Sequence, residues 1–97
     1  MVEYIPLPTI GKILKEEFME PYELSQNALA RAIFVPPNRI HQILKGTRRI
    51  TADTDLRLTK FFGLSEGYFL RMQENIELRQ AKRQIAGELD RIQRVQG

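Results

Sequence analysis

The chain has 97 residues, a formal net charge of +3 and 42% hydrophobic residues, which suits one small domain with a modest core and leaves no room for a second. It holds no cysteine and one histidine, which excludes disulfide scaffolds, zinc sites with thiolate ligands and cysteine nucleophiles. Its first residues, MVEYIPLPTI, lack the flank and apolar run of a signal peptide, and no later stretch approaches the about 18 apolar residues of a membrane span. We therefore expect a cytoplasmic protein with no membrane partner.

Helical periodicity runs through the whole chain, with apolar residues recurring at three and four and no convincing alternation of strand type, so the expected class is all-α. A first helix is predicted from Thr9 or Ile10 to Met19, with Ile10, Ile13, Leu14 and Phe18 on one face and Pro21 beyond its end. Ser25 should cap a second helix that buries Leu29, Ala30 and Ile33. A third begins near Pro37, buries Ile40, Ile43 and Leu44, and stops at Gly46. Thr51 should cap a fourth, ADTDLRLTKFF, which carries two aspartates in its first turn, where the helix dipole favours them, and closes at Gly63.

Ser65 is the expected cap of the fifth helix, whose pattern runs on toward Gln96 with only Gly67 and Gly87 as weak points. Tyr68, Phe69 and Met72 should complete the core. Beyond them Leu78, Ala81, Ile85, Leu89 and Ile92 form a narrow stripe flanked by charges, which suggests a partner helix. The expected organisation is one helical domain over residues 1–75 and a C-terminal helical extension over residues 76–97.

Charge is unevenly placed. Residues 1–23 hold two basic and five acidic side chains, residues 24–52 hold five basic and none acidic, and residues 53–97 hold eight and seven. The acid-free block contains the second and third helices, which points to an anionic partner.

Two short helices joined by a three-residue turn, the second polar on its outer face and basic around its end, are what a helix-turn-helix DNA reader requires. On the face opposite Ile40, Ile43 and Leu44 stand Asn38, His41, Gln42 and Lys45, with Arg39 alongside. Asn and Gln can pair with adenine and Arg with guanine, so Asn38, Arg39 and Gln42 are the expected base readers. Lys45, Thr47, Arg48 and Arg49 follow the reading helix and suit the DNA backbone, with His41 facing DNA or solvent.

The stretch from LSQNALARAIF to FFGLSEGYFLRMQ, within residues 9–73, resembles the Xre, or lambda-repressor-like, helix-turn-helix family. GKILKEEFMEP, VPPNRI, KGTRRITADTDLRL and FFGLSEGYFLRMQ make it most similar to the HigA (VapI-type) antitoxins. The resemblance implies a five-helix domain that represses its own operon as a homodimer bound to operator DNA, and a cognate HigB-like (RelE-like) ribonuclease toxin as second partner. It also implies that Gln26, at the start of the second helix, contacts phosphate. A stand-alone Xre-type regulator without a toxin would share every one of these DNA-facing residues, and an interaction module that has lost DNA binding would keep the scaffold.

No enzymatic set, cofactor or metal site is expected. One imidazole without thiolates or a carboxylate cluster makes a poor metal or catalytic centre. Adjacent Glu16 and Glu17 point in different directions on a helix and do not form an acid/base pair. Phe61, Phe62 and Phe69 are expected to pack in the core. Phe34 stands where the family places glycine after the second helix; a left-handed backbone there would cost a non-glycine residue roughly 1–2 kcal/mol, and the sequence leaves open whether Phe34 adopts it or an ordinary conformation, with Val35 plugging the angle between the helices and Pro36 and Pro37 presetting the third.

Overall fold

The computed structural model describes residues 5–96, and among them there are helices and no strands. Five α-helices follow in order: α1 (Ile10–Ile13), α2 (Gln26–Ala32), α3 (Pro37–Lys45), α4 (Ala52–Phe62) and α5 (Tyr68–Leu89). The all-α expectation holds.

The caps explain most of the boundaries. Thr9 Oγ1 accepts from the Lys12 amide and Ser25 Oγ from the Ala28 amide, both at 3.1 Å, and Thr51 Oγ1 does the same for Thr54 at 3.5 Å. Gly46 (φ 88°) and Gly63 (φ 72°) end α3 and α4 in the left-handed region, where a residue without Cβ carries no steric cost.

Three elements differ from the sequence reading. The helix expected through Met19 is α-helical only to Ile13, then widens into a π-helical stretch, Leu14–Met19, and tightens into a 3-10 turn, Glu20–Tyr22. The change of register comes just before Pro21, which has no N–H to continue either ladder. Secondly, α5 ends at Leu89 rather than near Gln96, and it is broken at Ile85 (φ −116°, ψ 20°), two residues before Gly87.

Thirdly, Ser65 does not cap α5. The N-cap residue is Gly67 (φ 85°), and Ser65 Oγ instead accepts from Arg71 Nη2 at 3.1 Å. The carboxylate of Asp55 takes the capping role from inside the protein, accepting from the amides of Gly67 (2.7 Å), Phe69 (2.9 Å) and Leu70 (3.1 Å). Asp55 is 1% exposed. One of the two aspartates in the first turn of α4 therefore serves the next helix.

The core draws Leu14 and Met19 from the first segment, Leu29, Ala30 and Ile33 from α2, Ile40 and Ile43 from α3, Leu58 from α4 and Phe69 from α5, with Val35 and Ile50 from the connections. Val35 thus fills the angle between α2 and α3 as expected. Phe18 gathers Phe62, Tyr68 and Phe69 around it at centroid distances of 5.4, 5.9 and 5.1 Å. Phe61 is a correction to the core expectation, since it is 43% exposed.

Two details set the position of the third helix and the loop after it. Gly11 is buried where α1 crosses α3, and a Cβ there would lie 2.9 Å from Leu44 Cα and closer still to the Ile43 carbonyl oxygen. Gln73, buried on α5, accepts from the Ile50 amide at 2.7 Å and donates to the Ile50 carbonyl at 2.9 Å. The loop from α3 to α4 is thereby tied to α5. Past Gln73, α5 leaves the core, and Leu78, Ile85 and Leu89 on it and Ile92 beyond it stay exposed.

Candidate nucleic-acid interface

The turn between α2 and α3 is built by a 6→1 backbone bond, Val35 N to Ala30 O at 3.0 Å, with Phe34 N to Arg31 O at 3.3 Å inside it. This is the Schellman arrangement, which places its penultimate residue in the left-handed region. That residue is Phe34, at φ 61°, so the conformation that the sequence leaves open is the left-handed one. The side chain points away from the body and is 86% exposed.

What holds this turn is Arg57 of α4. Its Nη1 donates to the carbonyls of Ile33 (2.9 Å) and Phe34 (3.3 Å), the two acceptors that α2 leaves unpaired at its end. Its Nε donates to Asp53 Oδ2 at 3.0 Å, and the same oxygen accepts from Arg39 Nη1 at 2.8 Å. The two guanidinium groups hold the Asp53 carboxyl below its ordinary value, the Arg57 hydrogen bond contributing most. A chain of bonds therefore runs from the turn through α4 to the first turn of α3.

The sequence-predicted residues fall into three groups along this frame. Asn38, His41 and Lys45 are exposed on α3. His41 Nδ1 lies 3.2 Å from Gln26 Oε1, so the start of α2 and the outer face of α3 meet there. Gln42 is half-buried; its Oε1 accepts from Arg48 Nη1 at 3.2 Å and its carbonyl accepts from Thr47 Oγ1 at 3.3 Å. Gln26, Asn38, His41, Gln42, Lys45, Thr47 and Arg48 thus form one continuous surface.

Arg39 and Arg49 are placed differently. Arg39 folds back on Asp53, its side chain is 24% exposed, and its Nε is buried without a hydrogen-bond partner. Its amide is not a free donor either, because it donates to the Pro36 carbonyl at 3.0 Å. Arg49 makes a two-bond pair with Glu77 of α5, Nε to Oε2 and Nη2 to Oε1, both 2.7 Å. That hydrogen bonding raises the Arg49 pKa and lowers that of Glu77.

Sequence reasoning missed Asp53, Arg57, Asp55, Gln73 and Glu77 as the groups that position this surface. A signal existed for two of them. Asp55 shares a helical face with Leu58 and Thr59, and Gln73 shares one with Phe69 and Ile76; a polar residue on an otherwise apolar stripe must find a buried partner.

The surface is polar and basic, and it has the geometry of a helix pair that enters a groove. Among the described residues no group of three or more His, Cys, Asp or Glu is placed to hold a metal ion, and no helix is long and apolar enough to cross a membrane.

Comparison with known proteins agrees with this geometry. A helix-turn-helix family model matches residues 8–69. Virulence-associated protein I of Dichelobacter nodosus is 46% identical over 72 residues, which are 74% of this chain and 67% of that protein. A solved addiction-module antidote protein of the HigA family from Coxiella burnetii superposes with a TM-score of 0.84 at 34% identity, covering 95% of this chain and 100% of its own. The antitoxin GraA in complex with its operator gives a TM-score of 0.84 at 30% identity, covering 100% and 99%. The chain belongs to the helix-turn-helix family that includes Virulence-associated protein I and the HigA antitoxins.

Proposed function

We propose that this chain is the DNA-binding antitoxin of a type II toxin–antitoxin module, which represses its own operon and neutralises a HigB-like, RelE-like ribonuclease toxin. The observation that carries the DNA half is the acid-free surface of α2 and α3, made rigid by the Arg57 bonds to the turn. The toxin half is supported by similarity to an addiction-module antidote protein and to GraA over nearly the full chain. The protein acts in the cytoplasm, and it is not an enzyme.

In this reading α3 lies in the major groove. Asn38 and Gln42 read base edges, and Arg39 joins them by exchanging Asp53 for guanine acceptors. Gln26, His41, Lys45, Thr47, Arg48 and Arg49 contact backbone or groove walls and fix the register. One such domain covers only a few base pairs, so two copies related by a two-fold axis read half-sites about one helical turn apart. The homodimer contact draws on the α4–α5 region or on the exposed stripe of Leu78, Ile85 and Leu89, which truncation after Gln73 tells apart, with residues 76–97 acting as an extension of the domain of residues 1–75.

Binding to the promoter upstream of the gene tests the DNA half when measured across a salt series. Affinity should fall steeply with salt, and Arg48→Ala should weaken every sequence alike while reducing the salt slope by about one. A change of sequence preference in that variant would contradict a backbone role. The toxin half is tested by co-expression with the adjacent open reading frame: the two products should copurify and growth arrest should be relieved, and a neighbour without toxicity would favour the stand-alone regulator.

A further inference from the structure

The acidic first quarter of the chain takes no part in the DNA-facing surface, and it adjoins an apolar groove. Tyr22, Leu24, Phe61 and Phe62 line an open groove of about 180 Å³ where the 3-10 turn meets the C-terminal end of α4. Tyr22 is 67% and Phe61 43% exposed. Both rings lean on Phe62, at 6.1 and 5.0 Å, and Phe62 is itself anchored on Phe18 at 5.4 Å. Exposed aromatics braced by the core carry little conformational freedom, which is the property of an anchor at a protein interface.

The segment that leads into this groove is rich in glutamate. Glu20 and Glu23 flank Tyr22 closely in sequence, and Glu16 and Glu17 precede them on the π-helical stretch. All four are exposed, and among the described residues none is in an ion pair or a side-chain hydrogen bond. Lys60, beside Phe61, is the neighbouring cation in sequence. Glu23 is held at φ 55° by the Leu24 amide bond to Met19 O at 2.9 Å, so this acidic end is fixed and does not trail.

We propose that the groove of Tyr22, Leu24, Phe61 and Phe62, together with the exposed glutamates of the adjoining segment, docks the cationic ribonuclease toxin; this rests on the antitoxin reading above. A protein that grips RNA presents a cationic surface to phosphates, and such a surface is attracted by the glutamates and repelled by the acid-free face of α2 and α3. A second copy of this chain is the poorer occupant, because a two-fold contact here would bring the same glutamates together. From Asp53, which touches Arg39, to Phe61 is eight residues of α4, about 12 Å of helix. The groove and the DNA-facing surface therefore lie at opposite ends of α4.

The test uses the full chain and the purified product of the adjacent toxin frame. The double variant Tyr22→Ser/Phe61→Ser should weaken toxin binding by about tenfold or more, and Glu20→Lys should slow association about tenfold at low salt with the difference shrinking at high salt. Both variants should keep wild-type affinity for promoter DNA and remain dimers, which also reports that they fold. Undiminished toxin binding in the variants, or loss of the dimer in place of the toxin, overturns the groove while leaving the antitoxin reading intact. A wild-type chain that neither binds nor neutralises the neighbouring product overturns both.

Discussion

Removing the Asp55 carboxylate is the most demanding stability test that this structure offers. Three amides at the start of α5 depend on it: Gly67 on Oδ2, and Phe69 and Leu70 on Oδ1. In Asp55→Ala the Gly67 and Leu70 amides, which are partly exposed, can regain water, whereas the Phe69 amide is buried and stays unpaired. A hydrogen bond to a charged acceptor is worth roughly 1.5–3 kcal/mol and an orphaned buried donor costs roughly 1–3 kcal/mol. Allowing for partial rehydration, we expect a loss of about 3–4 kcal/mol, a large share of the roughly 5–15 kcal/mol available to a domain of this size.

Asp55→Asn separates the contributions. Its remaining oxygen can keep Phe69 and Leu70, but its amide group then meets the Gly67 donor, so the cost should be smaller, about 1.5–3 kcal/mol. Urea titrations followed by far-ultraviolet circular dichroism measure both, with linear extrapolation to water. A loss below about 1 kcal/mol in Asp55→Ala would refute the reasoning, because even the single orphaned amide of Phe69 should cost that much.

Two further outcomes follow from local geometry. Phe34→Gly should leave stability unchanged or raise it by up to about 1 kcal/mol: it releases the roughly 1–2 kcal/mol strain of a left-handed residue with a Cβ, offset in part by the freer unfolded chain of glycine. A clear loss in the same urea assay would mean that the exposed ring contributes a contact. Acid should weaken the links that position the DNA surface. The Asp53 and Glu77 carboxyls are held below their ordinary values of 3.8 and 4.5 by their arginine partners, so their contribution is fully present above those values and is lost as pH falls through the lowered ones. Melting temperatures of wild type and Glu77→Gln should therefore differ slightly at pH 6 and converge toward pH 3; equal values at both would remove the pair from the account.

Features set by near neighbours in sequence were legible before the fold was known. Ser25, Thr51, Gly46 and Gly63 bound their helices because caps act within three residues, and the buried faces of α2 and α3 follow from spacing alone. The place of Phe34 after α2 raised a left-handed turn but did not decide it against an ordinary conformation. Features set by distant partners were not. Asp55 reaches 12 to 15 residues ahead and Gln73 reaches back 23, and nothing local to Ser65 reveals that a buried carboxylate has displaced it.

The DNA surface divides in the same way. Asn38, His41 and Lys45 are exposed on α3 as the helical period required, and His41 meets Gln26 across the turn. The folding of Arg39 onto Asp53 and of Arg49 onto Glu77 depends on α4 and α5, which contribute nothing to the local pattern of α3.

Gly11 lies on the side of α3 turned away from DNA, yet it fixes how far that helix stands out from the body. With no side chain between them, the α1 backbone and the Ile43 and Leu44 backbone of α3 are in direct apposition. Any larger residue would have to lift α3 outward, carrying Gln42 and Lys45 with it and straining the Arg57 and Asp53 bonds at its other end. In the proposed mode of DNA binding, the clearance between α3 and the floor of a groove is thus encoded in a missing methyl group behind that helix.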